Sequence, residues 1–317
     1  MSWIFVALLA YFLLAVANLA DKFLVDNVLK SAKAYAFVVC ALGLAVFAAA
    51  PWLLEWPGLN LFIFNLINGA LFAIALWLLY EALKQGEASR VLVIIGGSTP
   101  IFSLILSALI LKEQFSSNQL LGIFIILAGV FLIAFLPRER NLLKRLMFWL
   151  KIKNEKSGLA LKFALSSAFF YSLYFISTKI AYNYQSFASS FIWTRLGAFL
   201  FALLFLIKLY DRQEVKKMFQ GSKKDKAQTS RGRLFVFLNQ IIGSSGFILQ
   251  NYAVFLGSVA IVNALQGAQY AFLLIISAIL AALAPKLLKE VFSWRIVIHK
   301  FVAILVVAIG LYFLTIS

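Results

Sequence analysis

The sequence predicts an all-α integral membrane protein of ten transmembrane helices, built as two inverted five-helix repeats. Three observations carry that prediction: an apolar composition, ten apolar stretches of membrane-spanning length, and a self-match between the two halves. Of 317 residues, 63% are hydrophobic and 13% charged, where soluble domains carry about a quarter charged residues. So much apolar surface exceeds what one water-soluble core of this size can hide, which makes the bilayer its natural solvent.

A helix rises about 1.5 Å per residue, so crossing the hydrocarbon layer takes about 20 apolar residues. Ten stretches qualify: 3–20, 35–54, 61–81, 91–111, 118–136, 158–178, 187–208, 234–256, 259–284 and 296–315. The first is expected to be a retained span rather than a signal peptide. No basic residue precedes it, and Lys22, Lys30 and Lys33 follow it, the reverse of a secretory signal.

Two connections are long. The segment 137–157 carries seven basic residues from Arg138 to Lys156, and its middle, 142–153, mixes bulky apolar with basic side chains. That mixture reads as a segment lying along the membrane surface. The connection 210–233 is also basic, and its polar part, 221–232, is expected to be mobile. Connections after odd-numbered spans hold nearly all the loop Lys and Arg, whereas the others hold little beyond Lys112 and Lys179. The positive-inside rule then places both termini outside the cytoplasm of a bacterial-type inner membrane. The net charge of +17 is accounted for by these topology-setting loops, so nucleic acid is not an expected partner.

The halves match. Residues 64–104 lie on 235–275 without a gap, pairing Phe64 with Phe235, Asn68 with Asn239, Gly86 with Gly257 and Gly96 with Gly267. Beyond a short insertion, the Lys-Glu-x-Phe-Ser run starting at Lys112 meets the one starting at Lys289. Upstream, Ala20 through Phe23 meet Ser177 through Ile180. Apolar helices match by chance at Leu, Ile, Val and Phe, but the Gly, Asn and Lys-Glu matches are harder to obtain that way. Five spans per half insert the second half upside down, and inverted repeats suit alternating access.

The segment 88–135 reads ASRVLVIIGGSTPIFSLILSALILKEQFSSNQLLGIFIILAGVFLIAF. It resembles the EamA-type pattern of the drug/metabolite transporter superfamily. The resemblance lies in Pro100 within the fourth span, Glu113 at the next turn, and Gly122 and Gly129 in the fifth span; Lys289, Glu290 and Gly310 repeat it more loosely. It implies a first repeat at 1–137, a basic cytoplasmic linker at 138–157 and a second repeat at 158–317. It further implies a central cavity lined by spans one, three, four, six, eight and nine. Members export or exchange amino acids, sugars, nucleotide derivatives, other metabolites or drugs. The chain departs from the pattern at Ala271, which stands where Pro100 would recur, and in its termini, which members usually keep in the cytoplasm.

A polar side chain inside a span is costly unless it is paired or faces a cavity, so each is a candidate site. The competing reading is interhelical hydrogen bonding, worth about 1 kcal/mol or less per contact. Span three offers Asn68, Trp77 and Tyr80; span four Ser98, Thr99 and Pro100; span six Tyr171 and Tyr174. Span eight offers Asn239, Gln240 and Ser244, and span nine Asn263, Gln266 and Tyr270. Either reading applies to each. Proline lacks an N–H and clashes with the carbonyl of Gly96, so Pro100 marks a hinge, a ligand contact or a passive kink relieved by Ser98 or Thr99. The charged candidates are Glu81, Lys179 and Arg195. Lys22 and Lys179 end matching spans, where they snorkel to headgroups or attract an anion; Arg195 lies deeper.

These residues predict a secondary transporter of a small metabolite or drug: an exporter, exchanger or facilitator. A flippase for a lipid-linked or prenyl-phosphate anion is the first alternative, and a non-transporting membrane scaffold the second. Asp21, Glu81 and Glu113 all lie near span ends, which weakens proton antiport through one mid-membrane carboxylate. No phosphate-binding glycine loop, HExxH motif or nucleophile triad appears, so no enzyme is expected. With a lone Cys40 and a lone His299, no metal site or cofactor is expected either. The expected partners are a small-molecule substrate and membrane lipid. A monomer is sufficient to enclose a pathway, and a dimer is possible.

Overall fold

The computed structural model describes residues 2–24, 31–86, 88–134, 155–220, 226–283 and 294–315. Helix dominates, and there is no strand among the described residues. In chain order the elements are α1 (Ser2–Leu24), α2 (Ala32–Gly43), α3 (Ala50–Leu53), α4 (Leu59–Gln85), α5 (Ala88–Leu106), α6 (Ser117–Ala134) and α7 (Glu155–Tyr182). They continue with α8 (Phe187–Ala202), α9 (Leu209–Gln220), α10 (Lys226–Leu256), α11 (Val259–Ala264), α12 (Gln266–Leu283) and α13 (Trp294–Thr315).

Among the described residues, five helical segments are long and apolar enough to cross a membrane: Ala32–Leu53, Leu59–Gln85, Ile94–Leu111, Gly158–Tyr182 and Phe187–Ile207. Shorter apolar helices occupy Trp3–Asn18, Ser117–Leu132, Ile241–Leu256, Val259–Leu273 and Phe301–Leu314. The outer surface suits lipid. Phe5, Leu109 and Phe301 stand exposed, as do Trp52 (80%) and Trp56 (64%) at the end of the second segment. Exposed tryptophans at a span end match the aromatic belt of the membrane interface, and an apolar surface this large would aggregate in water.

Several predicted spans are not single helices. The second passes from α2 through a 3-10 stretch, Leu44–Ala49, into α3; the fourth ends in a π-helical turn, Ser107–Leu111. That turn closes at Lys112, which is left-handed (φ 54), a conformation that costs an L-residue about 1 kcal/mol. The bend places Glu113 at the bundle's end, its N–H on the Ser107 carbonyl (3.2 Å). The ninth span breaks at Leu265, between α11, capped by the Ser258 hydroxyl, and α12.

The connection expected at 210–233 is largely helical. Its first part is α9, and α10 already begins at Lys226. The helix forms because its acidic residues turn inward: Asp211 and Glu214 are each 5% exposed. Asp211 accepts a 2.6 Å hydrogen bond from Ser31, the N-cap of α2. The expectation of a mobile segment covers residues 221–225, which lie outside the described residues, and 226–232, which are helical. The surface-lying segment 142–153 and the second Lys-Glu run at 289–290 also fall outside the described residues.

Small residues set the closest helix approaches. A Cβ added to Gly122 of α6 would sit 2.8 Å from the Gly310 carbonyl oxygen of α13, and one added to Gly310 would sit 2.9 Å from that of Gly122. On α4, a Cβ at Gly69 would lie 2.2 Å from the Thr194 carbonyl oxygen and from the Ala198 nitrogen of α8. Backbones this close admit no larger side chain. The core between the helices is aromatic, with Phe72 of α4, Tyr174 of α7, Phe191 of α8 and Phe247 of α10 packed on one another.

Candidate functional site

Arg195 sits inside that aromatic core. Its position on α8 puts it beside Thr194 and Gly197, at the close crossing with α4, and only 5% of its surface is exposed. The guanidinium carbon lies 4.2 Å from the Phe72 ring centroid, 4.7 Å from Phe191, 4.8 Å from Phe247 and 5.8 Å from Tyr174. Ring faces carry partial negative charge, and desolvation strengthens their attraction for a cation. The aliphatic stem lies against Gly43 of α2, where an added Cβ would come within 3.4 Å of it.

One hydrogen bond, to a neutral acceptor, completes the arginine's surroundings. Its Nη2 donates to the Tyr174 hydroxyl (2.7 Å), which donates to Asn251 Oδ1 (2.8 Å). Asn251 is fixed in turn by donating from Nδ2 to the Phe247 carbonyl (2.9 Å). The Nε of Arg195 has no hydrogen-bond partner, and no carboxylate pairs with the guanidinium among the described residues. A buried cation without a counter-charge is costly, so the site is electrostatically unfinished.

Asn68 lies one turn before Phe72 on the same face of α4. It is fully buried, and neither its Oδ1 nor its Nδ2 finds a partner. A further turn back, Asn65 accepts from the Ser190 hydroxyl of α8 (2.9 Å), while its Nδ2 is unpaired. The unmet polar groups of Asn65, Asn68 and Arg195 therefore follow one seam between α4 and α8.

A second polar layer joins α5, α7 and α11. Asn263 donates to the Ser103 hydroxyl (2.8 Å), Ser103 contacts the Ser172 hydroxyl (3.2 Å), and Ser172 donates to the Thr99 carbonyl (3.0 Å). Thr99 donates to the Ile95 carbonyl (2.8 Å), and α5 continues as helix through Pro100. Beside this layer, Tyr11 donates to the Val262 carbonyl (2.8 Å) and accepts from Gln250 Nε2 (3.2 Å).

At one end of the bundle, Lys179 donates to the carbonyls of Val254 (2.9 Å), Phe255 (2.9 Å) and Gly257 (2.8 Å). It thereby caps the C-terminus of α10, where carbonyls lack helical partners and attract a cation. Glu113 acts electrostatically on Lys179 and accepts from the Ser258 hydroxyl (2.6 Å). A first-half residue is thus tied to the second half.

The structure brings together Arg195, Tyr174 and, across Phe72, Tyr171 (ring centroids 6.1 Å apart), with Asn68 on the adjoining turn. Thr99, Pro100 and Asn263 fall in the second layer. The Tyr270 hydroxyl donates to the Leu92 carbonyl (2.8 Å) across the gap that Gly96 leaves open. Trp77 donates to Glu81 (3.2 Å), lies beneath the Lys33 ammonium (5.1 Å) and packs on Phe205, with Tyr80 against Tyr35. Asn239 is buried, Ser98 and Gln266 are half-buried, and Ser244 is exposed. The side chains of Gln240 and Lys22 lie outside those described. Phe72, Phe191 and Phe247 went unnoticed as site residues, since each alone reads as ordinary core. Tyr11 on α1 was missed too, although a hydroxyl amid an apolar span was the available signal. No group of three His, Cys, Asp or Glu side chains that could hold a metal occurs among the described residues.

Comparison with known proteins places this architecture. No curated protein sequence matches the chain. A solved structure, described only as the crystal structure of a protein, superposes with a TM-score of 0.64 at 15% identity, covering 99% of this chain and 96% of its own. At that identity the likeness establishes a shared fold. Residues 1–135 match the profile of the EamA-like transporter family. Through these residues the first part of the chain is similar to the EamA-like transporters, a family of the drug/metabolite transporter superfamily, and its apolar helices fit a multi-pass membrane protein.

Proposed function

We propose that the chain is a ten-span secondary transporter that moves a small solute by alternating access between two inverted five-helix repeats, 1–137 and 158–317, joined by the basic linker 138–157. The observation that carries this reading is a packing pattern related by exchange of the halves. α4 packs on α7, and its repeat equivalent α10 packs on α1. α5 packs on α7 as α12 packs on α1, and α5 packs on α6 as α12 packs on α13. The pairs α6 with α13 and α2 with α8 exchange into themselves.

Atomic detail supports the same relation. The reciprocal approach of Gly122 and Gly310 is what an axis between α6 and α13 requires. Ser167 donates to the Ala75 carbonyl (2.8 Å). The offset that lays Ser177 on Ala20 lays Ser167 on Ala10, and the offset that lays Asn239 on Asn68 lays Gly246 on Ala75. A Cβ on Gly246 would sit 3.1 Å from the Ala10 carbonyl, so the same two positions touch in both copies.

The solute would bind along the α4–α8 seam, where buried polar groups lack partners. Enclosure of Arg195 by protein favours a solute held inside the bundle over a lipid-linked one. No catalytic role is proposed, one chain suffices for the pathway, and both termini are placed outside the cytoplasm on the charge bias. The test is solute counterflow in proteoliposomes against amino acids, organic acids, nucleosides, sugars and prenyl phosphates. Accumulation of a soluble solute supports the reading; movement of prenyl phosphate alone favours the flippase; none at all overturns transport.

A further inference from the structure

We infer that Arg195 is the counter-charge of a substrate carboxylate, and that the α4–α8 seam takes small apolar monocarboxylates. This rests on the transporter reading and names its substrate class. Four features converge. First, the guanidinium is 5% exposed, has an unpaired Nε and has no carboxylate partner among the described residues. The missing charge is a single negative one, which a carboxylate supplies and a fork of guanidinium N–H groups matches in geometry. Second, the other buried polar groups of this layer, Asn65, Asn68, Tyr174 and Asn251, are neutral. One cation balances one carboxylate, whereas a dianionic phosphate would leave a negative charge unmet. Third, the rings of Phe72, Phe191 and Phe247 already face the guanidinium, so the wall suits an apolar body, and an ammonium there would meet a like charge. A zwitterion is therefore disfavoured. Fourth, the fully buried Asn68 amide, with both ends unpaired, stands one turn from Phe72, placed to donate to the second carboxylate oxygen.

The test measures binding to the purified full-length chain by thermal shift and calorimetry, with benzoate, benzamide and benzylammonium as matched probes. Benzoate is expected to bind about tenfold to a hundredfold more tightly than benzamide, the worth of a charge-assisted hydrogen bond, and benzylammonium not at all. Arg195→Gln is expected to erase the preference, and Arg195→Lys to keep part of it. The comparison of probes on the unaltered chain needs no variant, so a misfolded Arg195→Gln does not rescue the idea. Equal binding of benzoate and benzamide overturns it, as does failure of benzoate to bind at millimolar concentration. Counterflow of neutral solutes without benzoate binding defeats this inference alone. Benzoate binding without any counterflow defeats the transport reading and leaves the anion site standing.

Discussion

At Asn68 the chain buries an amide with neither end satisfied. An unmet buried polar group costs about 1–3 kcal/mol, which a packed apolar residue of similar size would not. Asn68→Leu is therefore expected to raise the unfolding midpoint in detergent by the equivalent of about 1 kcal/mol and to weaken substrate binding or counterflow. If it destabilises, the amide makes a structural bond and has no part in the seam. Tyr174→Phe acts oppositely. It removes the hydroxyl that joins Arg195 to Asn251, so the guanidinium loses its only hydrogen bond among the described residues. A loss of about 1–3 kcal/mol is expected, read as a lower midpoint, and unchanged stability would mean that another group replaces the hydroxyl. Residue types foretold part of this. Arg195 and Tyr174 are conspicuous in any apolar span, but the phenylalanines come from α4, α8 and α10, and no local spacing announces that they meet. Lys179 illustrates the same limit: the sequence offered headgroup or anion, and the structure gives it the carbonyl end of α10.

Among the elements, glycine separates crossings that must be close from kinks that need not be. A Cβ at Gly310 would meet Ile126 backbone nitrogen at 2.8 Å and the Gly122 carbonyl at 2.9 Å, while one at Gly97, beside Pro100, would meet nothing nearer than Phe131 at 4.0 Å. Gly310→Ala is accordingly expected to lower the unfolding midpoint clearly, by several degrees, and Gly97→Ala to leave it within error. Equal effects would deny that α6 and α13 pack through their backbones. Five spans were legible because apolar runs of the required length admit few other structures in a bilayer. The breaks within spans were not, since the π turn before Lys112 and the break at Leu265 depend on which neighbours receive the freed backbone groups. Nor was α9, whose Asp211 is buried where Ser31 of a distant segment donates to it.

For the whole molecule, the informative feature is where exchange of the halves fails. α4 packs along α8, but its equivalent pair, α10 with α2, makes no comparable contact among the described residues. On the proposed inverted-repeat reading, perfect symmetry would leave both sides equally open, and this departure marks one side as closed. On that reading the closed side is the one with the Glu113, Ser258 and Lys179 cluster, toward the connections that are poor in Lys and Arg. In the alternating access proposed above, α4 would leave α8 as α10 approaches α2, exchanging the roles of the repeats. Asn65 and Ser190 touch across the crossing that would open on this reading (2.9 Å), so a cysteine pair at those positions tests it. With Cys40→Ala removing the native thiol, Asn65→Cys combined with Ser190→Cys is expected to cross-link on oxidation and to stop counterflow. Reduction is expected to restore it, since each single variant leaves the crossing free to part. Counterflow that persists while gel shift shows the cross-link complete would mean that α4 and α8 move as one body, and the pathway would then have to open elsewhere than along this seam.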